Sequence, residues 1–516
     1  MRNKHLYITL LAILGFTPEM LAQSKIQYAP RLVVNLTIDQ LRTDYMEAFA
    51  PLYGNEGFKR LLQQGMVFTN ANYPFSPIDR ASATASVATG VSPYYHGIVS
   101  EQWLNRETLR PVYCTGNSQT PDELLTSTIG DELKVSTEGK SKVYSIAPFN
   151  DAAILSVGHA ANAAFWIDDK DGMWHTSAYY LAQLPSWLLT FNALHSPANE
   201  SGKQTWEPVI ELSGKFNYFQ HAENSQKPFK HKFTGANRFQ QMKASGLVNE
   251  FVTELAQQCV TQETMGTDRV TDYLVVNYYA GTFNHLPMSE CQIELQDTYV
   301  RLDRELGRFI TSVEKKVGAE NVLFVVTSTG CSDAESANYE KYRIPTGTFY
   351  MNRSANLLNM YLGAIWGQGR YVESCFRNQM FLNQKLLESK RISMNDACQR
   401  AQEFLAQLSG VRNVYSGLQL LTNINEQTQK IRNGFNASRC GDILIEVSPG
   451  WKLYNEDNQD TQLSRASFVQ FPIIFLGAGT KAGRISDHVT VDRIAPTIAK
   501  SIRIRAPNAC SSEPLF

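Results

Sequence analysis

The run Ala81-Ser82-Ala83-Thr84-Ala85-Ser86-Val87-Ala88-Thr89-Gly90 most restricts what this chain can become. Ten consecutive small side chains read as a helix packed tightly against a sheet. Ser76, Pro77 and Asp79 just before it are helix-start signals. A helix start presents unpaired N–H groups and the positive end of the dipole, the place where a phosphate, or a nucleophile that attacks one, would sit.

The rest of the chain fits an α/β arrangement. Leu32-Val33-Val34-Asn35-Leu36-Thr37-Ile38-Asp39, Lys142 to Ala147, Tyr273 to Tyr279 and Asn321 to Val326 are buried-type strands, with helical stretches such as Gln296 to Asp303 between them. We expect a three-layer α/β/α sandwich with a mostly parallel central sheet. The aromatic-rich span 165–265, with Trp166, Trp174, Trp187, Trp206 and the Tyr179-Tyr180 pair, reads as a cap inserted over the sheet's carboxyl edge. The remainder of 24–516 then forms one domain.

With 516 residues, 43% apolar and 19% charged, the chain is an ordinary globular protein. Its net charge of −1, without runs of like charge, argues against a nucleic-acid binder or an electrostatic membrane binder. Residues 1–23 read as a secretory signal: Arg2 and Lys4, an apolar run from Leu6 to Phe16, and cleavage near Ala22 or Gln23. The apolar run is too short for a membrane span. Periplasmic or secreted localisation is therefore expected. Eight widely spaced cysteines include no C-x-x-C pair, so neither a zinc knuckle nor a redox dithiol is suggested, and pairing and free thiols stay equally open.

Residues 28–516 resemble, motif after motif, the alkaline phosphatase superfamily, close to its secreted bacterial phosphomonoesterases and nucleotide pyrophosphatase/phosphodiesterases. The resemblance is carried by the strand ending in Asp39, Gly57 to Leu61, Ala85 to Gly90 and the Pro93 to Gly97 close. It continues through Gly158 to Trp166, Gly369 to Val372 and Asp492 to Ala499. It implies a zinc pair and a hydroxyl nucleophile. The matching positions depart from that pattern. Arg80 stands at the nucleophile, and a permanent cation with donors only cannot attack phosphorus. Glu101, Phe149 and Asp151 occupy phosphate-contact positions, and Gly281, Ser328, Thr329 and Gln470 occupy metal-ligand positions. Only Asp39 and His285 keep a ligand type, and in the family arrangement they serve different metals.

Two-metal hydrolysis needs two ions about 4 Å apart, each with about three protein donors. The expectation is therefore an exported pseudophosphatase with no catalytic residues and no cofactor, acting as a binding or scaffold protein in the envelope. Its partner would be another envelope protein or an anionic or glycan ligand. The alternative is an active phosphoric ester hydrolase with a zinc pair rebuilt from migrated ligands among Asp79, Asp333, Glu335, Asp442 and Asp487-His488. Asp39 reads equally as a helix cap or a neighbour's partner, and His285 as a hydrogen-bonded loop residue. Arg80 would either replace the missing cation, by pairing with Asp39, Asp79 or Asp151, or lie exposed in an open cleft. His159 reads as a satisfied structural histidine.

Overall fold

The strand Leu32–Asp39 lies at the centre, and its period of two assigns the faces of the sheet. Leu32, Val34, Leu36 and Ile38 enter one apolar core; Val33 enters the other, together with the face that carries Asn35, Thr37 and Asp39. The protein is described from a computed structural model over residues 28–200, 204–210, 228–330, 342–422, 425–457, 459–463 and 469–516. The expected signal at 1–23 lies outside the described residues.

Nine strands of the described residues form one sheet. Its order is Gly483–Thr490, Met66–Asn72, Phe471–Gly477, Val322–Ser328, Leu32–Asp39, Asp272–Tyr279, Val143–Ala147, Ala163–Ile167, Trp174–His175. The five strands from Val322–Ser328 to Ala163–Ile167 are mutually parallel, and Phe471–Gly477 runs antiparallel to both of its neighbours. Asp39 pairs in register with Tyr279, and Ile38 with Ser328, so the carboxyl ends of the central strands come level. Open α/β sheets bind ligands at such an edge.

Helices cover both faces. Arg80–Thr89, Asn150–Val157 and Ile494–Ile502 pack on the Val33 face; Phe58–Gln64, Val248–Gln262 and Gln292–Val317 pack on the other. The small-residue run is a helix, buried from Ala81 to Thr89, and it ends at Gly90 with φ 71°. A Cβ there would lie 2.8 Å from Cys510 Sγ and 3.0 Å from Ala495 Cβ, so both the left-handed turn and the packing require glycine. The three-layer expectation holds.

The 165–265 span divides. It supplies the edge strand Trp174–His175 and the layer helix Val248–Gln262, while Trp174, Leu188, Phe191, Trp206 and Phe239 fill the same core as the sheet. A second, separate core forms elsewhere, inside 347–455. There Val372–Phe376, Gln379–Leu382, Ile443–Val447 and Val411–Ser416 make an antiparallel sheet covered by the helices Met351–Trp366 and Met394–Leu405. Polar ties hold this unit to the main body: Arg106 donates to Asp442 at 2.9 Å, and Arg439 donates to the carbonyls of Gly97 and Glu123. The seven described cysteines are free thiols, and Cys331 lies outside the described residues.

Candidate functional site at the carboxyl edge

Asp79 starts the small-residue helix. Its carboxylate accepts from the Ser82 N–H at 2.9 Å, and the Ser82 hydroxyl closes the capping box. Arg80 is therefore the first helical residue and projects over the strand ends. Its Nε donates to both oxygens of Asp151 at 3.1 and 3.0 Å; its Nη1 lies 3.8 Å from Asp39 Oδ2. Its guanidinium also stacks 3.8 Å over the Phe149 ring, which Lys243 Nζ approaches at 4.8 Å. Of the pairings left open, Asp151 is the hydrogen-bonded partner and Asp39 the nearby second charge. Arg80 is not exposed in an open cleft.

Around Arg80 lies a cavity of about 190 Å³. Asp39, Gln40, Asp79, Arg80, Glu101, Asp151, His285 and Thr329 line it. The Thr329 hydroxyl donates to Asp39 Oδ1 at 2.6 Å and accepts the Gln40 N–H at 3.1 Å. Asp39 Oδ2 and Gln40 Oε1 are buried acceptors without a hydrogen bond. Burial raises the Asp39 carboxyl above the usual range, opposed by the Arg80 charge and the Thr329 bond. Burial, then the charge of Asp151, raises Glu101. Burial acts against the Arg80 cation, but Asp151, Asp39 and Glu101 more than offset it and fix the charge.

The remaining predicted positions go elsewhere. Ser328 is fully buried; its hydroxyl donates to the Leu41 carbonyl at 2.8 Å and accepts the Gly330 N–H. Gln470 is exposed, and its amide donates to Asn70 at 3.1 Å. Gly281 is buried in a tight corner, where a Cβ would lie 2.6 Å from Tyr279 Oη and 2.8 Å from Gln40 Cδ. His159 is bonded to Asp131 and to the Leu124 carbonyl, as a structural histidine would be. Asp442 is engaged by Arg106 and the Leu382 N–H, away from the cavity. His488, on the outermost strand, contacts Asn72 on the strand beside it. Asp333 and Glu335 lie outside the described residues. Gln40 and Ile78 are cavity residues the sequence did not single out; their signal was adjacency to Asp39 and Asp79.

A zinc pair does not fit these residues. Among the described residues no group of three or more His, Cys, Asp or Glu side chains converges as a metal site requires. Asp39, expected from the sequence as a surviving ligand, already faces a guanidinium.

Comparison with known proteins places this geometry in context. The chain is 28% identical over 509 residues to the alkaline phosphatase PhoV of Synechococcus elongatus, covering 93% of this chain and 91% of that protein. It is 29% identical over 515 residues to the alkaline phosphatase PafA of Elizabethkingia meningoseptica, covering 94% of each. The crystal structure of wild-type PafA superposes with a TM-score of 0.81 at 26% identity, covering 94% of this chain and 98% of that one. Residues 33–468 match the type I phosphodiesterase / nucleotide pyrophosphatase family, and the chain belongs to it.

Proposed function

We propose that this chain is an exported, non-hydrolytic member of its family, a pseudophosphatase that serves as a binding or scaffold protein in the cell envelope. One observation carries the reading: the position matching the family's nucleophile holds Arg80, locked on Asp151 and turned toward Asp39. A permanent cation offers no lone pair for attack, and its charge stands where a metal would have to approach Asp39. Losing a preorganised donor or charge at a phosphoryl site forfeits about 3–4 kcal/mol for each element removed. Here several are absent together. Export rests on the charged start and apolar run of residues 1–23.

The competing reading is a metal-dependent phosphoric ester hydrolase. It draws on the relatives named alkaline phosphatases, and it needs donors that the described residues do not bring together. The test is metal analysis of purified protein with zinc supplied, alongside phosphomonoester and phosphodiester assays. We expect no turnover above background. Chelator-sensitive turnover that disappears in Asp39→Ala overturns the proposal. N-terminal sequencing of exported protein that returned Met1 would overturn the cleaved signal.

A further inference from the structure

We propose that His159 is a proton-operated clasp: as an imidazolium it holds the loop 121–125 against the helix layer, and as a neutral ring it releases that loop together with one attachment of the small unit inside 347–455. Its Nδ1 lies 3.2 Å from Asp131 Oδ2, in the first turn of the helix Ile129–Ser136, and its Nε2 lies 3.1 Å from the Leu124 carbonyl oxygen. Both partners only accept. The Asp131 oxygens already take the N–H groups of Thr128, His159 and Ala160 and the Thr128 hydroxyl, at 2.6 to 3.0 Å. A backbone carbonyl has no proton to give. A neutral imidazole has one N–H, so it serves one of the two contacts and turns a lone pair on the other. Only the doubly protonated ring matches both.

The titratable and charged groups around the ring are Asp131 on that helix, Asp122 and Glu123 on the loop, Arg439 paired with Glu123, and Tyr179 and Tyr180. The two tyrosine hydroxyls donate to the carbonyls of His159 and Gly158, at 3.1 and 2.7 Å. The bond to Asp131 raises the imidazole above its ordinary 6.5 against the effect of burial; the Asp131 charge, the Leu124 carbonyl and the Asp122 charge add to the rise. As pH rises through that value the Nε2 proton leaves to water. Nδ1–H stays on Asp131, because a hydrogen bond to a charged acceptor is the stronger, and the Leu124 contact is the one lost. The clasp is therefore complete below 6.5 and open above the raised value.

The loop has the small unit on its other side. Arg439 donates to the Glu123 carbonyl at 2.7 Å and pairs with the Glu123 carboxylate at 2.9 Å, one residue before Leu124. The same unit brings Arg377 to 3.7 Å from Asp79 on the cavity wall. A proton lost at His159 thus loosens a unit that borders the cavity.

The test is amide hydrogen exchange of the full chain at pH 6 and pH 9, corrected for the intrinsic rate, with the histidine ring resonances followed over the same range. The reporters are the Leu125 N–H, bonded to the His96 carbonyl at 3.1 Å, and the Cys440 N–H, bonded to the Asn436 carbonyl at 2.8 Å. We expect both to exchange about tenfold faster at pH 9, the Leu32–Asp39 strand to stay unchanged, and the resonance that disappears in His159→Gln to titrate above 6.5. In His159→Gln the corrected rates should be equal at the two pH values. Equal rates in the wild type, a pH dependence that persists in His159→Gln, or a ring that titrates at or below 6.5 overturns the proposal. Should His159→Gln not fold, Asp122→Asn carries the test, because it removes an exposed charge that acts on the ring. The onset of faster exchange should then move to lower pH, and an unmoved onset overturns the clasp.

Discussion

Arg80 and Asp151 form a side-on ion pair in which one Nε–H is shared between two carboxylate oxygens, at 3.1 and 3.0 Å, with the Asp151 side chain only 3% exposed. A pair this buried is worth little as a pair, but removing one partner strands the other's charge. Asp151→Ala should therefore lower stability by about 3–5 kcal/mol, whereas Arg80→Met combined with Asp151→Leu should recover most of the loss. Urea denaturation of the two single variants and the double checks this. Arg80→Thr should destabilise comparably without creating hydrolysis.

Glu101 gives a pH signature. Its carboxyl is raised by burial and then by Asp151, so the folded state holds that proton more tightly than the unfolded state does. The associated stability is complete below the ordinary carboxylate range and is lost as pH rises through the raised value. Glu101→Gln cannot ionise. Its melting temperature should match the wild type near pH 4 and exceed it at pH 8.

His96 acts in the opposite direction. Its Nδ1 accepts the Ile98 N–H at 3.0 Å, so Nε2 carries the proton toward the Ser86 hydroxyl at 2.9 Å. Burial, then the nearby Arg439 charge, pushes the imidazole from 6.5 down to about 3. Its contribution is present above 6.5 and lost as pH falls toward 3, at roughly 1.4 kcal/mol per pKa unit. The His96 ring resonances should not titrate between pH 7 and 4. Ser86→Ala, which leaves a buried N–H unmatched, should cost about 1–3 kcal/mol.

The small unit around residues 347–455 should respond on its own. Leu358 is fully buried in that unit's core. Leu358→Ala should cost about 2–5 kcal/mol. Amide exchange should quicken in Gln379–Leu382 and Ile443–Val447 while the Leu32–Asp39 strand stays protected.

The central strands were legible because each carries a run of apolar residues that a doubly covered sheet demands, and the small-residue helix because its composition leaves few other uses. The site was legible as a set of positions and not as a set of contacts. Arg80 and Asp151 are 71 residues apart, and only the strand-to-helix turns at Ala147 and Asp79 decide that Asp151, rather than Asp79, takes the guanidinium. Thr329 appeared as a missing ligand and serves as the Asp39 donor. Ser328 and Gln470 turn to backbone and solvent, which no residue type reveals. The second core escaped notice because its strands of four to six residues lie between helices and carry little periodic signal.

The crowding at Gly281 also constrains laboratory evolution. Any side chain there meets the fully buried Tyr279 hydroxyl, itself bonded to the Thr282 carbonyl at 2.6 Å, and the Gln40 amide. A library that varies residue 281 alone will favour glycine, because any larger residue must displace the Tyr279 ring or the Gln40 carboxamide. Routes toward a carboxylate at this corner widen when positions 40 and 279 are randomised with it. Among such routes the order of substitutions is fixed by packing, with space made first and charge added afterwards.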